Sequence, residues 1–273
     1  MSVVLACAWQ PRGELHRLRR YFTRLQSIYD GGIVISLRNG DPDQVAVCAA
    51  LEELALPYEF YYGWSGRHTC VRLGLTTTAT HVHYVDMDRL VRWVELRPDE
   101  LKQLVERVQM VDSLVIGRTP AAYQTHARTL IETEALPNMV FSQYLGRQMD
   151  FAAGSRGLSR RAAELVLSHT SEANSLALDV GWAVLVHRAG MTWDYVEVNG
   201  LDWETADRFR EIAADSAAQR ALAAEEDADI RNWSHRVWVS KEILRGGLEA
   251  MLQPIDPAYA TAHLPDESLT NER

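Results

Sequence analysis

The stretch THVHYVDMDRLVRW, Thr80 to Trp93, is an apolar run that ends in two carboxylates, Asp86 and Asp88, and passes at once into helix-forming residues. Its β-branched and aromatic residues predict a strand, and the charged continuation predicts a helix. Residues i and i+2 of a strand point to the same side, so the two carboxylates meet where the strand ends. Like charges that close are unfavourable unless something cationic lies between them. A metal ion, an arginine such as the adjacent Arg89, or water alone are the candidates.

Outward from this stretch the first half of the chain alternates. SVVLACAW predicts a strand, GELHRLRRYFTRLQSIY a helix, GGIVISL a strand buried on both faces, and DPDQVAVCAALEELAL a helix entered through Asp41-Pro42. YEFYYG, THVHYVDMD and DSLVIGRT predict further strands, separated by helices over RHTCVRLGLTTT and from Pro98. Such a β-α series predicts an α/β fold with a mostly parallel central sheet and helices on both faces. Ligands in these sheets bind beyond the carboxyl ends of the strands. Gln10 to Gly13, Arg38 to Asp43, Asp86 to Arg89 and Gly117 to Thr119 fall on that edge.

Residues 120–190 are helix-rich, with Ser159 as a predicted helix cap and a late strand in TWDYVEVNGLDWE. From Thr205 the sequence becomes alanine-rich and charged, which predicts a C-terminal helical hairpin whose second helix is capped by Ser234. The predicted organisation is a main domain over 1–204, a helical extension over 205–253 that packs on the main domain or on a second subunit, and a flexible tail over 254–273.

The 273 residues, 47% hydrophobic and 24% charged, are enough for one large domain and have the composition of a soluble globular protein. A net charge of −9 argues against a general nucleic-acid binder. Cys7, Cys48 and Cys70 form no C-x-x-C pair, which fits a reducing compartment and no zinc site. No stretch has the length of a membrane span, and the expected location is the cytoplasm.

Two carboxylates converging at a strand end are oxygen ligands of the kind that hold Mg²⁺ or Mn²⁺, ions that keep waters and bind substrate phosphates. The competing reading is a helix N-terminus, with Asp86 as cap and Asp88 in the first turn. A phosphatase-type Asp-x-Asp follows a chain's first strand, whereas this pair lies mid-chain and continues into Arg89-Leu90.

With the pair at the ligand edge of an alternating sheet, HYVDMDRL resembles the strand-terminal Asp-x-Asp of GT-A fold nucleotide-sugar glycosyltransferases, a Rossmann-related fold. The resemblance covers about the first 200 residues in layout. It implies a hexosyltransferase-like enzyme that uses Mn²⁺ or Mg²⁺ on Asp86 and Asp88 to hold a nucleoside diphosphate sugar, and that passes the sugar to a small-molecule or glycan acceptor. It further implies nucleotide contacts from Gln10, Arg12, Arg38, Asn39, Asp41 and Asp86. An acceptor loop is implied at Gly154, Ser155 and Arg156, followed by Gly157, with glycine allowing close approach and Arg156 holding an anion. The alternative there is a simple turn before a capped helix.

Asp179, a lone acid in LALDVGWAVL, corresponds to the general base of inverting relatives, although Leu178 stands where an acidic partner is common. In retaining relatives the corresponding acid binds the acceptor. The alternative is a surface ion pair with Arg160, Arg161 or Arg188. The resemblance also implies a late histidine as third metal ligand, His235 in preference to His187. Arg118 is placed to reach a phosphate or an acidic acceptor. His81 and His83 read as packed residues. Two further functions are carried: a non-catalytic protein of the same fold that is a homo-oligomer through the C-terminal helices, and a nucleotidyltransferase. AWQPRGELHR has one glycine and no lysine, which ranks the nucleotidyltransferase lower.

Overall fold

The computed structural model describes residues 1–173 and 176–260. Residues 261–273 of the expected tail lie outside the described residues. Among the described residues, seven strands form one sheet: β1 (Val3–Trp9), β2 (Ile33–Arg38), β3 (Tyr58–Tyr61), β4 (His81–Asp86), β5 (Ser113–Arg118), β6 (Ser155–Ser159) and β7 (Trp193–Val198). Their order is β3-β2-β1-β4-β6-β5-β7. All neighbours pair in parallel except β6, which runs antiparallel to both β4 and β5.

The helices are α1 (Leu15–Ile28), α2 (Gln44–Glu53), α3 (Gly66–Gly74), α4 (Met87–Leu96), α5 (Pro98–Val108), α6 (Pro120–Tyr123), α7 (Arg128–Leu145), α8 (Arg160–His169), α9 (Leu178–Arg188), α10 (Ser216–Ala228) and α11 (Ile230–Leu252). Successive strand residues point to opposite faces, so an apolar run such as Val3–Cys7 feeds two cores at once. Val3, Leu5 and Cys7 pack with Leu18 and Leu25 of α1, Leu90 and Val94 of α4 and Leu101 of α5. Val4 and Ala6 pack with Val71 of α3, Ala162 and Leu165 of α8 and Val184 of α9, in a cluster that extends to Phe141 of α7 and Ile243 of α11. The expected α/β sandwich is therefore the observed one. No helix among the described residues is long and apolar enough to cross a membrane.

The chain leaves β1 toward β2 and β3 on one side and returns to β4 on the other, so the sheet's switch point lies between β1 and β4. The register pairs Ala8 with Asp86 and brings the carboxyl ends of both strands level.

Two expectations need correction. The predicted loop at Gly154–Gly157 is largely strand β6. SRGLS has weak β propensity and a central glycine, but pairing on both sides overrides that weakness. The glycine serves close packing: a Cβ on Gly157 would lie 2.8 Å from Val108 of α5. The last helix begins at Ile230, with the Asp229 carboxylate accepting from the Arg231 backbone N–H, so Ser234 lies inside it and caps nothing. Residues 128–145 form one helix through Pro137. Ser159 caps α8 by accepting from the Ala162 N–H at 3.2 Å, as expected.

Candidate active site

A cleft of about 460 Å³ opens at the switch point. That volume suits a small-molecule ligand. Ala8, Gln10 and Arg12 at the end of β1 and just beyond it line the cleft, as do Asp86, Asp88 and Arg89 at the end of β4 and in α4, and Tyr61, Trp64 and Arg67 from the end of β3 into α3. The opposite wall comes from the C-terminal part of the chain: Trp203, Thr205, Arg208, Glu226, Asn232, His235 and Arg236. The second half of the chain thus closes over the sheet edge.

Asp86 occupies the N-cap position of α4 in extended conformation, but its side chain makes no capping bond. Its Oδ1 instead accepts from the Tyr84 hydroxyl. Its Oδ2 lies 3.4 Å from Arg67 Nη2 and 3.8 Å from Arg89 Nε. Asp88 sits in the first turn of α4, its Oδ1 accepting from the Arg89 N–H at 2.9 Å and its Oδ2 facing Arg12 Nη1 at 3.4 Å. The cations beside the pair in this structure are therefore arginines. Their contacts are longer than the roughly 2.7–2.9 Å of a tight charge-assisted bond.

Two carboxylates on one cleft wall fit a hard divalent cation that completes its shell with water and phosphate oxygens. A protein-only cage is not built: among the described residues no group of three or more His, Cys, Asp or Glu side chains is placed to hold a metal. This corrects the expectation for His235. It lines the cleft from α11, but its ring stacks on Trp238 at 5.7 Å and is not gathered with the two acids. Burial, then the neighbouring Arg236, lower its pKa and favour the neutral imidazole. His187 is packed between the rings of Tyr144 and Trp193.

Asp179 pairs with none of the three arginines suggested by its sequence neighbourhood. It lies in the first turn of α9, buried, and Arg67 Nη1 donates to its Oδ1. Burial pushes its carboxyl up, while Arg67 and then Arg156 pull it down. Arg67 also lies over the Tyr84 ring at 5.6 Å. A single guanidinium therefore joins the end of β4 to α9.

The predicted acceptor residues are placed differently from expectation. Gly154, at φ +69°, backs the pair: a Cβ there would lie 2.7 Å from Asp86 Oδ2 and 2.8 Å from Arg89 Nε. Ser155 is buried, its hydroxyl hydrogen-bonded to His83 Nε2 at 2.9 Å. Arg156 is 3% exposed and donates to the carbonyls of Phe151, Ser155 and Asp179. It is spent on the fold and is turned away from incoming anions. Arg118 is likewise buried, bonded to Asp150 at 2.7 Å and Glu134 at 2.6 Å. Arg38 donates to the Gly63 carbonyl at 2.9 Å, and the Asp41 carboxylate accepts from the Asp43 N–H at 3.0 Å. Among the described residues that line the cleft, Arg38, Asn39 and Asp41 are absent; they shape the turns beside it.

Sequence reasoning missed Arg67, Trp64 and the wall at Trp203–Arg208. The first two lie in GWSGR, where the turn after β3 passes into the first residues of α3, on the same edge as the other candidate loops. Glycines either side of a lone Trp-Ser, with arginine following, were the available signal. The 203–208 wall carries no local motif. It is held by a buried network in which Arg92 clamps Asp202 at 2.6 Å and Asp207 at 2.7 Å, and Arg17 clamps Glu95 at 2.6 Å and Asp207 at 3.0 Å.

No family model matches the sequence, and no curated protein matches it. Among solved structures, the chain is similar to glucosyl-3-phosphoglycerate synthase from Mycobacterium tuberculosis in complex with Mn²⁺, uridine diphosphate and phosphoglyceric acid, at 12% identity and a TM-score of 0.49, over 86% of this chain and 78% of that one. It is also similar to a mannosyltransferase from Pyrobaculum calidifontis in complex with GDP-Man and Mn²⁺, at 12% identity and a TM-score of 0.41, over 90% of this chain and 75% of that one.

Proposed function

We propose that this chain is a metal-dependent glycosyltransferase that moves a sugar from a nucleoside diphosphate sugar to a small-molecule or glycan acceptor. The observation that carries the reading is the placement of Asp86 and Asp88. Both line a cleft at the switch point of the sheet, each facing an arginine at 3.4 Å. Asp86 and Asp88 would hold Mn²⁺ or Mg²⁺. The bound ion would neutralise charge developing on the departing diphosphate.

The chain's own residues supply the rest. Gln10 and Arg12 extend from the end of β1 along the wall proposed for the nucleotide. Tyr61 and Trp64 add aromatic faces there, which suit a base or a sugar ring. Arg12, Arg67 and Arg89 keep positive charge beside the carboxylates, so an anionic diphosphate is drawn to this edge although the whole chain is acidic. His235 and Asn232 face the donor from α11 as polar wall residues. Asp179 is the proposed acceptor-side acid. Asp179 is buried and is not among the described residues that line the cleft, and its Oδ1 accepts from Arg67; burial raises its pKa, the direction a general base working near neutral pH needs.

Thermal melting tests this reading. A nucleoside diphosphate with Mn²⁺ is expected to raise the melting temperature of the native chain by several degrees, as binding to the folded state alone requires. Asp88→Ala should abolish the rise while leaving the ligand-free melt near native. A rise of equal size in Asp88→Ala, or no rise with any nucleoside diphosphate, would remove the reading.

A further inference from the structure

We propose that the exposed face of α1 and the loop over residues 208–212 form a docking surface for an anionic lipid bilayer, and that this surface holds the cleft mouth against the membrane. The docking goes beyond the glycosyltransferase reading and does not depend on it. Joined to that reading, it makes the acceptor a membrane-borne group.

The chain carries 37 acids against 28 lysines and arginines, yet α1, LHRLRRYFTRLQSI, contains no acid. Its Arg17 is buried on Glu95 and Asp207, and its exposed Arg19 pairs with Glu53 of α2 at 2.5 Å. Arg20 and Arg24 are exposed and stand one helical turn apart on the same face. Arg210 in the loop is exposed as well. Arg20 donates to the Glu211 carbonyl at 3.4 Å and so joins the two elements, and Arg24 lies over the Tyr21 ring at 5.9 Å. Among the described residues neither of them, nor Arg210, makes an ion pair. Glu211 is the one acid in the loop, so this surface keeps an excess of positive charge on an acidic protein. An anionic surface is drawn to such a patch.

The loop adds apolar groups to the charge. The Phe209 N–H donates to the Arg12 carbonyl at 2.9 Å, and a Cβ on Gly13 would lie 2.8 Å from Phe209 Cα. Phe209 takes φ +56° there, a left-handed conformation that is costly for an aromatic residue. Phe209 is nonetheless 76% exposed, and Ile212, three residues on, is 57% exposed. Large apolar side chains held out beside arginines match a partner that is anionic at its face and apolar beneath. A nucleic acid would use the arginines and gain little from Phe209 and Ile212. Arg208, which precedes Phe209, lines the cleft, and so does Arg12. The docking surface therefore adjoins the cleft mouth.

The test is co-sedimentation of the full chain with lipid vesicles, made of phosphatidylcholine alone or with one third phosphatidylglycerol. The native chain should bind the anionic vesicles about tenfold or more tightly than the neutral ones, and less tightly as salt is raised. Arg20→Gln combined with Arg24→Gln should weaken that binding about tenfold or more. Phe209→Gly should weaken it about tenfold. Glycine takes φ +56° without strain, so this variant should melt no lower than the native chain. No binding to anionic vesicles, equal binding to neutral ones, or binding unchanged in both variants overturns the proposal. A mixed-sequence RNA that binds as tightly as the vesicles, with Phe209→Gly altering neither, marks a general polyanion site and overturns it too. The rise in melting temperature with Mn²⁺ and a nucleoside diphosphate should be the same in both variants as in the native chain. Failure of docking then leaves the glycosyltransferase reading standing, and failure of that rise leaves the docking standing.

Discussion

Asp86 stands where a helix cap would stand, yet its carboxylate turns to the Tyr84 hydroxyl, Arg67 and Arg89 and makes no capping bond. At the scale of single residues, Asp86, Asp88 and Arg12 line the cleft at the edge where the sequence places them, whereas Asp179, Arg118 and Arg156 do not line it. A carboxylate pair at a strand end has few uses, and its spacing limits where it can point. An arginine has many uses: Arg118 and Arg156 both end inside the fold, on acids and on carbonyls respectively, while Arg67, unremarked in sequence, reaches the cleft. Nothing local distinguishes these fates, because partners such as Asp150 or Asp179 lie far along the chain.

His83 offers a residue-scale prediction. It is buried between the Tyr29 hydroxyl at 2.8 Å and Ser155 Oγ at 2.9 Å, and burial lowers its pKa from 6.5 to about 3. The folded chain thus holds the neutral ring while the unfolded chain takes up a proton below pH 6.5. This contribution to stability is complete above pH 6.5 and is lost as pH falls toward 3, by at most about 1.4 kcal/mol per pH unit. His83→Gln should flatten that part of the pH dependence in urea melts at pH 7 and pH 4.5. An unchanged slope would show that the ring is not held neutral.

At the scale of elements, strong periodicity made the parallel strands and α1, α4 and α5 legible, and weak local signals hid β6. SRGLS becomes a strand because two neighbours pair with it, a condition set by the sheet and not by the segment. The boundary of α11 was missed for a different reason: Asp229 and Ser234 are both good cap residues, and the Asp229 carboxylate is the one that accepts the Arg231 N–H. Close packing of α11 also makes a prediction. A Cβ on Gly246 would lie 2.4 Å from Ala177 Cα and 2.5 Å from its carbonyl oxygen, backbone atoms that no rotamer change can clear. Gly246→Ala gains about 1 kcal/mol in helix propensity and loses about 1–3 kcal/mol to overpacking. The melting temperature is expected to fall by a few degrees; a rise would mean that α11 moves off α9 without cost.

At the scale of the whole molecule, the chain reads as a sheet with a helical addition, and the structure joins the two. Val239, Ile243 and Ala250 of α11 belong to the same buried cluster as Val4, Tyr84 and Trp182, and the 203–236 region supplies one wall of the cleft. That wall could not be seen in sequence because it is assembled by Arg17 and Arg92, whose partners Asp202 and Asp207 lie more than a hundred residues away. The central claim remains that Asp86 and Asp88 together hold a divalent ion against a nucleoside diphosphate. Crystals soaked with Mn²⁺ and a mixture of nucleoside diphosphates test it most directly. The account predicts anomalous Mn²⁺ density bridging Asp86, Asp88 and a diphosphate, with the base on the Tyr61–Trp64 side. A nucleotide bound without metal, with Arg12, Arg67 and Arg89 still on the two carboxylates, would contradict it.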